Sequence, residues 1–152
     1  MSERPGDIAM PTVLIVATLD TKFDEVQYLR RKINEYGCKT IVMDCGILGR
    51  SPYFDGRPAE ISREEVANAG GANIQELAQS GDKGKCIETM IGGAGNLSAE
   101  LYKEGRFQAI ISIGGAQGTD IGTAAMRALP FGVPKLMVSA IANGLATFGP
   151  YI

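Results

Sequence analysis

Residues 12–44 read TVLIVATLDTKFDEVQYLRRKINEYGCKTIVMD, and the change of hydrophobic period inside this stretch decides the fold. The first six residues, TVLIVA, are an unbroken apolar and largely β-branched run, the pattern of a strand covered on both faces of a parallel sheet. Beyond them the spacing lengthens. Phe23, Val26, Leu29, Ile33 and Tyr36 recur at helical intervals, Thr21 with Asp24 fits a capping box, and Gly37 supplies a stop. KTIVMD, residues 39–44, is a second strand, so the stretch is one βαβ unit whose crossover is expected to be right-handed.

Residues 45–61, rich in Gly and Pro, read as a long loop, and Ser62 with Glu65 makes a capping box for a short helix that Gly70-Gly71 interrupts. A further short helix is expected around residues 74–78, ending near Gly81. Asp82 reads as the N-cap of a longer helix with Cys86, Met90, Leu97 and Leu101 on one face, closing at Gly105. Gly92-Gly93-Ala94-Gly95 has the composition of a phosphate loop. It lies inside that periodicity, however, so its amides belong to the helix ladder and its glycines to close packing. A third strand, AIISI at residues 109–113, runs into a glycine-rich turn and a helix reaching about Leu129, and KLMVSAI at residues 135–141 is the fourth strand.

This order predicts an α/β fold, a Rossmann-like open parallel sheet of about four or five strands with helices on both faces. It spans residues 11–152 behind a disordered or extended tail at residues 1–10. The chain stops after a strand where the alternation calls for a covering helix. Either it is a piece of a longer protein or a partner covers the face left bare, which makes a homo-oligomer an expectation.

Composition narrows the chemistry. Of 152 residues, 45% are hydrophobic and 21% charged, enough apolar material for one globular core. Lys and Arg number 15 against 17 Asp and Glu, so no positive excess draws the chain to nucleic acid or an anionic membrane. With no His, imidazole bases, Ser-His-Asp and Cys-His relays and His-ligated metals are excluded for this chain. Cys38, Cys45 and Cys86 form no CxxC pair, which suits a reducing, cytoplasmic setting. No apolar run approaches the ~18 residues of a membrane span, and MSERPGDIAM is too polar for a secretory leader.

Ligands of open parallel sheets bind beyond the carboxyl ends of the strands, so residues 18–22, 44–46, 114–119 and 139–144 are expected to converge. The strongest of these is Gly114-Gly115-Ala116-Gln117-Gly118-Thr119, which leaves a strand and opens a helix. The unpaired amides of a first helical turn and the positive end of its dipole suit an anion. A Cβ would block an oxyanion, some such turns need positive φ, and Thr119 adds a hydroxyl. The dinucleotide fingerprint is met only in part, since Ile113 stands where its first glycine belongs, and no Lys follows Gly118 as Walker A requires. Thr18, Asp20, Thr21 and Lys22 place hydroxyls, a carboxylate and an ammonium at a second helix start; Lys22 can neutralise phosphate, and Asp20 can bind a ribose hydroxyl or a metal's water shell. Asp44 with Cys45, and Ser139, Asn143 and Gly144, are polar candidates for base or sugar. The plainer alternatives are a tight packing turn for the glycines and an N-cap beside a solvated lysine for residues 18–22.

VATLDTKFDE at residues 16–25, ISIGGAQGTDIGTAAMRALPFGVPKLMVSAIANG at residues 111–144 and the closing GPYI resemble the tomato mosaic virus resistance protein-like ATP-binding family of bacteria, fungi and plants. The resemblance spans nearly the whole chain. It implies a nucleotide-binding subdomain truncated from a longer two-subdomain protein, with ATP contacted by Asp20, Thr21 and Lys22 and by Gly114, Gly115, Gly118 and Thr119. Mg²⁺ is the expected companion because it bridges phosphates. Family loops often read GGSGGT, whereas Ala116 and Gln117 stand here, and Asn143 replaces a frequent serine; both bear on ligand choice. The expected function is therefore a nucleotide-binding module. The alternatives are half of an enzyme acting on a phosphorylated or carboxylated metabolite, with Asp20 or Lys22 moving the proton, and a self-association domain.

Overall fold

Four apolar runs become four parallel strands. In the computed structural model, which describes residues 9–143, β1 (Thr12–Ala17), β2 (Lys39–Asp44), β3 (Ala109–Gly114) and β4 (Lys135–Ser139) form one sheet in the order β2-β1-β3-β4. Thr12 pairs with Lys39, Val13 with Ala109, and Ile110 with Lys135, so the carboxyl ends of all four strands lie along one edge. Residues 1–8 of the expected tail and residues 144–152, which include Gly144 and GPYI, lie outside the described residues.

Helices cover both faces, as the sequence predicts. On one side α1 (Leu19–Glu35) packs Leu19, Val26 and its partly buried Phe23, Leu29 and Ile33 against Ile15, Ala17, Val42 and Ile111. On the other, α2 (Arg63–Ala69), α3 (Ile74–Ser80), α4 (Lys83–Lys103) and α5 (Ala116–Arg127) close over Leu14, Val16, Ile41, Met43 and Ile110. This division follows from right-handed crossovers when the chain steps first from β1 to β2 and then back across to β3 and β4. Among the described residues, no helix is long and apolar enough to cross a membrane.

The caps of α2 and α4 are those expected: Ser62 and Glu65 form the reciprocal box, and Asp82 accepts from the Lys85 amide. Gly37, at φ +78°, ends α1. Two boundaries differ from the sequence reading. Helix α1 begins at Leu19, with Thr18 as N-cap and a non-helical kink at Lys22, so Thr21 and Asp24 lie inside it and not at its start. Strand β4 ends at Ser139, two residues short of its apolar run, because the strand it pairs with ends at Gly114 opposite Ser139.

Gly92-Gly93-Ala94-Gly95 sits within α4, where helical packing was expected. A Cβ on Gly93 would stand 1.8 Å from the Val66 carbonyl oxygen, and one on Gly70 2.1 Å from that of Thr89, so α2 and α4 cross in near-backbone contact. The α1 side of β4 carries no helix among the described residues, whereas α1 reaches Ile111 of β3. There Leu136 and Val138, which share that face with Ile111 and Ile113, are 57% and 47% exposed.

Candidate functional site at the carboxyl edge of the sheet

The chain leaves β1 toward one side and β3 toward the other, so the switch point lies between these two neighbouring strands. There α5 starts almost on top of β3: a Cβ on Gly114 would meet the carbonyl carbon of Gly118 at 2.5 Å. Close approach requires glycine at Gly114, and positive φ requires it nowhere in the turn, since Gly114, Gly115 and Gly118 are absent from the left-handed region. The helices α2, α3 and α4 each begin with a side-chain cap, from Ser62, Asn73 and Asp82. Gly115, the N-cap of α5, has none to offer. The first α5 amide with an internal acceptor is that of Thr119, which donates to the Gly115 carbonyl at 2.9 Å. The amides of Ala116, Gln117 and Gly118 have no acceptor among the described residues and stand at the positive end of the α5 dipole.

These amides border a crevice of about 390 Å³. Thr18, Asp20, Thr21 and Lys22 form one wall, and Gly115, Ala116, Gln117, Gly118 and Ile121 form another. With Cys45 of the third wall, nine of the sequence candidates thus meet at one place. The third wall, Cys45, Ile47 and Leu48, comes from the loop after β2, and sequence reasoning overlooked Ile47, Leu48 and Ile121.

The remaining candidates are spent elsewhere. Asp44 is fully buried and does not face the crevice. Its Oδ1 accepts from the Leu19 and Gly46 amides at 3.2 and 2.8 Å, and its Oδ2 from Ser51 Oγ at 2.6 Å and Arg63 Nε at 3.1 Å. Asp44 therefore caps α1 from the end of β2 and anchors the loop, a role that leaves neither oxygen for sugar recognition. The Thr119 hydroxyl, expected to reach a ligand, donates to or accepts from its own fold: it contacts the Gly115 carbonyl at 2.6 Å and Ser139 Oγ at 2.7 Å. Ser139 is tied to Thr119 for the same reason, and Asn143 lies in an exposed turn beyond β4, outside the crevice lining.

Within the crevice, Asp20 Oδ2 accepts from the Ile47 and Leu48 amides at 3.1 and 3.0 Å, which fixes the third wall. Arg63 completes the clamp, donating from Nη1 to the Leu48 and Gly49 carbonyls while Nη2 pairs with Asp44 at 3.0 Å. Lys22 is held by Glu25 at 2.8 Å, an exposed pair that lowers the Glu25 carboxyl pKa through that hydrogen bond. Such a pair is worth little, about 0–1 kcal/mol, so the ammonium exchanges partners at small cost. Burial, reinforced by the Asp44 and Asp20 charges, pushes the Cys45 thiol far up, so it stays protonated near neutrality and is a wall, not a nucleophile.

A larger hollow of about 1010 Å³ lies on the outer side of α1. Two of its three arginines are engaged: Arg30 pairs with Glu60 and stacks on Phe54, and Arg31 pairs with Glu35. It is also remote from the strand ends where open sheets bind ligands.

Residues 11–152 match the family described as "Uncharacterised protein family (UPF0261) N-terminal domain". The chain is 41% identical over 132 residues to a UPF0261 protein of Clostridium tetani, covering 87% of this chain and 32% of that protein. It is 37% identical over 132 residues to one from Brucella suis, covering 87% and 31%. The ToMV resistance protein Tm-1(GCR237) of Solanum lycopersicum is more distant, 29% identical over 154 residues, covering 88% of this chain and 19% of that protein. The chain thus spans about a third of the length of the bacterial relatives it matches.

Proposed function

As the chain belongs to the UPF0261 family through its N-terminal domain, we propose that this domain is a nucleotide-binding module whose crevice holds the phosphates, with ATP the ligand that suits it best. The observation that carries this reading is the set of three unsatisfied amides, of Ala116, Gln117 and Gly118, at a helix start on the switch point of the sheet. In water these groups lose nothing, but a phosphate oxygen gains charge-assisted hydrogen bonds and a favourable dipole there. Lys22 adds a cation once it releases Glu25. Mg²⁺ then travels with the phosphates. The crevice lining offers it one carboxylate, Asp20, whose Oδ2 already holds the loop and whose Oδ1 is buried.

Gly118→Val tests this directly. A Cβ at Gly118 would meet only Ile113 O at 3.7 Å and Thr18 Oγ1 at 3.9 Å, ordinary contacts, so the fold accepts it while the branched methyls fill the gap between α5 and Thr18. Titration calorimetry with ATP should show binding abolished in the variant, with its circular dichroism unchanged. Parent-like affinity in a folded variant refutes the reading.

A second reading, self-association, rests on the exposed α1-side strip of β4, Leu136 and Val138. Sedimentation should then show a dimer that Leu136→Lys converts to monomer, since a buried ammonium in an apolar seam is costly. A parent chain that stays monomeric at high concentration rules this out.

A further inference from the structure

The crevice does not end at the third wall. A second concavity of about 250 Å³, lined by Leu77, Ala78, Cys86 and Ile87 of α3 and α4, also touches Ile47, Leu48 and Gln117. These last three line the phosphate crevice too, and they come from opposite walls, Gln117 from α5 and the pair from the loop. The two spaces are therefore neighbours that share these three residues as a common border. Their sizes place the combined space within the range of roughly 300–1,000 Å³ usual for small-molecule sites, which are mostly apolar with a few fixed polar groups.

The border between them is anchored by the loop. Its backbone is fixed by Asp20 and Arg63, yet the Leu48 side chain is 70% exposed. A large apolar group on so tightly anchored a backbone stays in water, where an apolar ligand surface laid against it would be stabilised. Gln117, also exposed, brings a side-chain amide that can both donate and accept, the property needed to read the edge of a heteroaromatic ring.

From this juxtaposition we infer that the two concavities are the two ends of one ligand site: the α5 amides take the phosphates, and the apolar end, entered past Leu48 and Gln117, takes the flat ring of a nucleoside phosphate. This rests on the phosphate reading above and adds the part of the ligand that gives selectivity. Lys83, at the rim of the apolar end, is the one charged residue of its lining.

The test uses the full chain with three probes: ATP, inorganic tripolyphosphate and adenosine. Leu48→Ser and Ala78→Trp alter exposed positions, the first removing the apolar cover and the second filling the apolar end. Calorimetry should show ATP binding about tenfold or more weaker in both, with tripolyphosphate affinity unchanged in Ala78→Trp, which lies outside the phosphate crevice, while Gly118→Val loses both ligands. ATP and tripolyphosphate binding the parent equally tightly, or Leu48→Ser and Ala78→Trp leaving ATP affinity intact while Gly118→Val abolishes it, would overturn the apolar end and spare the phosphate site. Adenosine and ATP binding that responds to Leu48→Ser and Ala78→Trp but not to Gly118→Val would overturn the phosphate site and leave the ring pocket standing. Absence of binding by all three probes would overturn both.

Discussion

Asp44→Ala should lower the unfolding free energy by about 3–5 kcal/mol, the range for removing one partner of a buried ion pair. The carboxylate is fully buried and gathers four donors from three parts of the chain: the first residue of α1, the loop at Gly46 and Ser51, and Arg63 in the first turn of α2. Alanine leaves the buried Arg63 guanidinium with only the Leu48 and Gly49 carbonyls and strips the Leu19 amide of its cap. The penalty is mainly that of the charge left behind. Urea denaturation followed by circular dichroism measures it. Glu25→Gln, which breaks the exposed pair with Lys22, serves as the control, with an expected change of about 0–1 kcal/mol. An Asp44→Ala loss no larger than that control would mean the clamp contributes little.

Gly93→Ala should cost about 3 kcal/mol or more, the upper end of what overpacking does, although alanine is the better helix former. The new Cβ would fall 1.8 Å from the Val66 carbonyl oxygen and 3.1 Å from the Gly70 amide nitrogen. Both are backbone atoms of α2 and its cap, so no rotamer change relieves the overlap, and the two helices must separate. The neighbouring Gly92 gives the opposite sign. It is exposed, a Cβ there meets nothing within 4 Å, and Gly92→Ala should stabilise by up to about 1 kcal/mol. Equal thermal midpoints for the two variants would contradict this account of the α2–α4 crossing.

These two positions mark what the sequence could and could not tell. The strands, the α4 register and the helical reading of Gly92-Gly93-Ala94-Gly95 were legible because each rests on local periodicity or on a cap within three residues. The start of α1 was not: its first amide is capped by Asp44, 25 positions away in another strand, while Thr21 and Asp24 mimic a local capping box. The glycine turn at α5 was legible as an exposed helix start, since strand, glycines and helix are contiguous. Ile47 and Leu48 were not, because an apolar pair in a Gly- and Pro-rich loop gains its place only when Asp20 and Arg63 fold the loop back over the sheet edge. Asp44 was misplaced for a related reason. A polar residue at a strand end looks the same in sequence whether it faces solvent or is sealed in by a distant arginine.

If the Ala116, Gln117 and Gly118 amides hold phosphate oxygens, an amide-resolved NMR titration of the ¹⁵N-labelled chain with inorganic tripolyphosphate reads those groups one by one. The prediction is saturable downfield shifts of these three amide protons, with the Thr119 amide, already bonded to the Gly115 carbonyl, moving least. Saturable shifts confined to other surfaces, or none at these three positions, would contradict it.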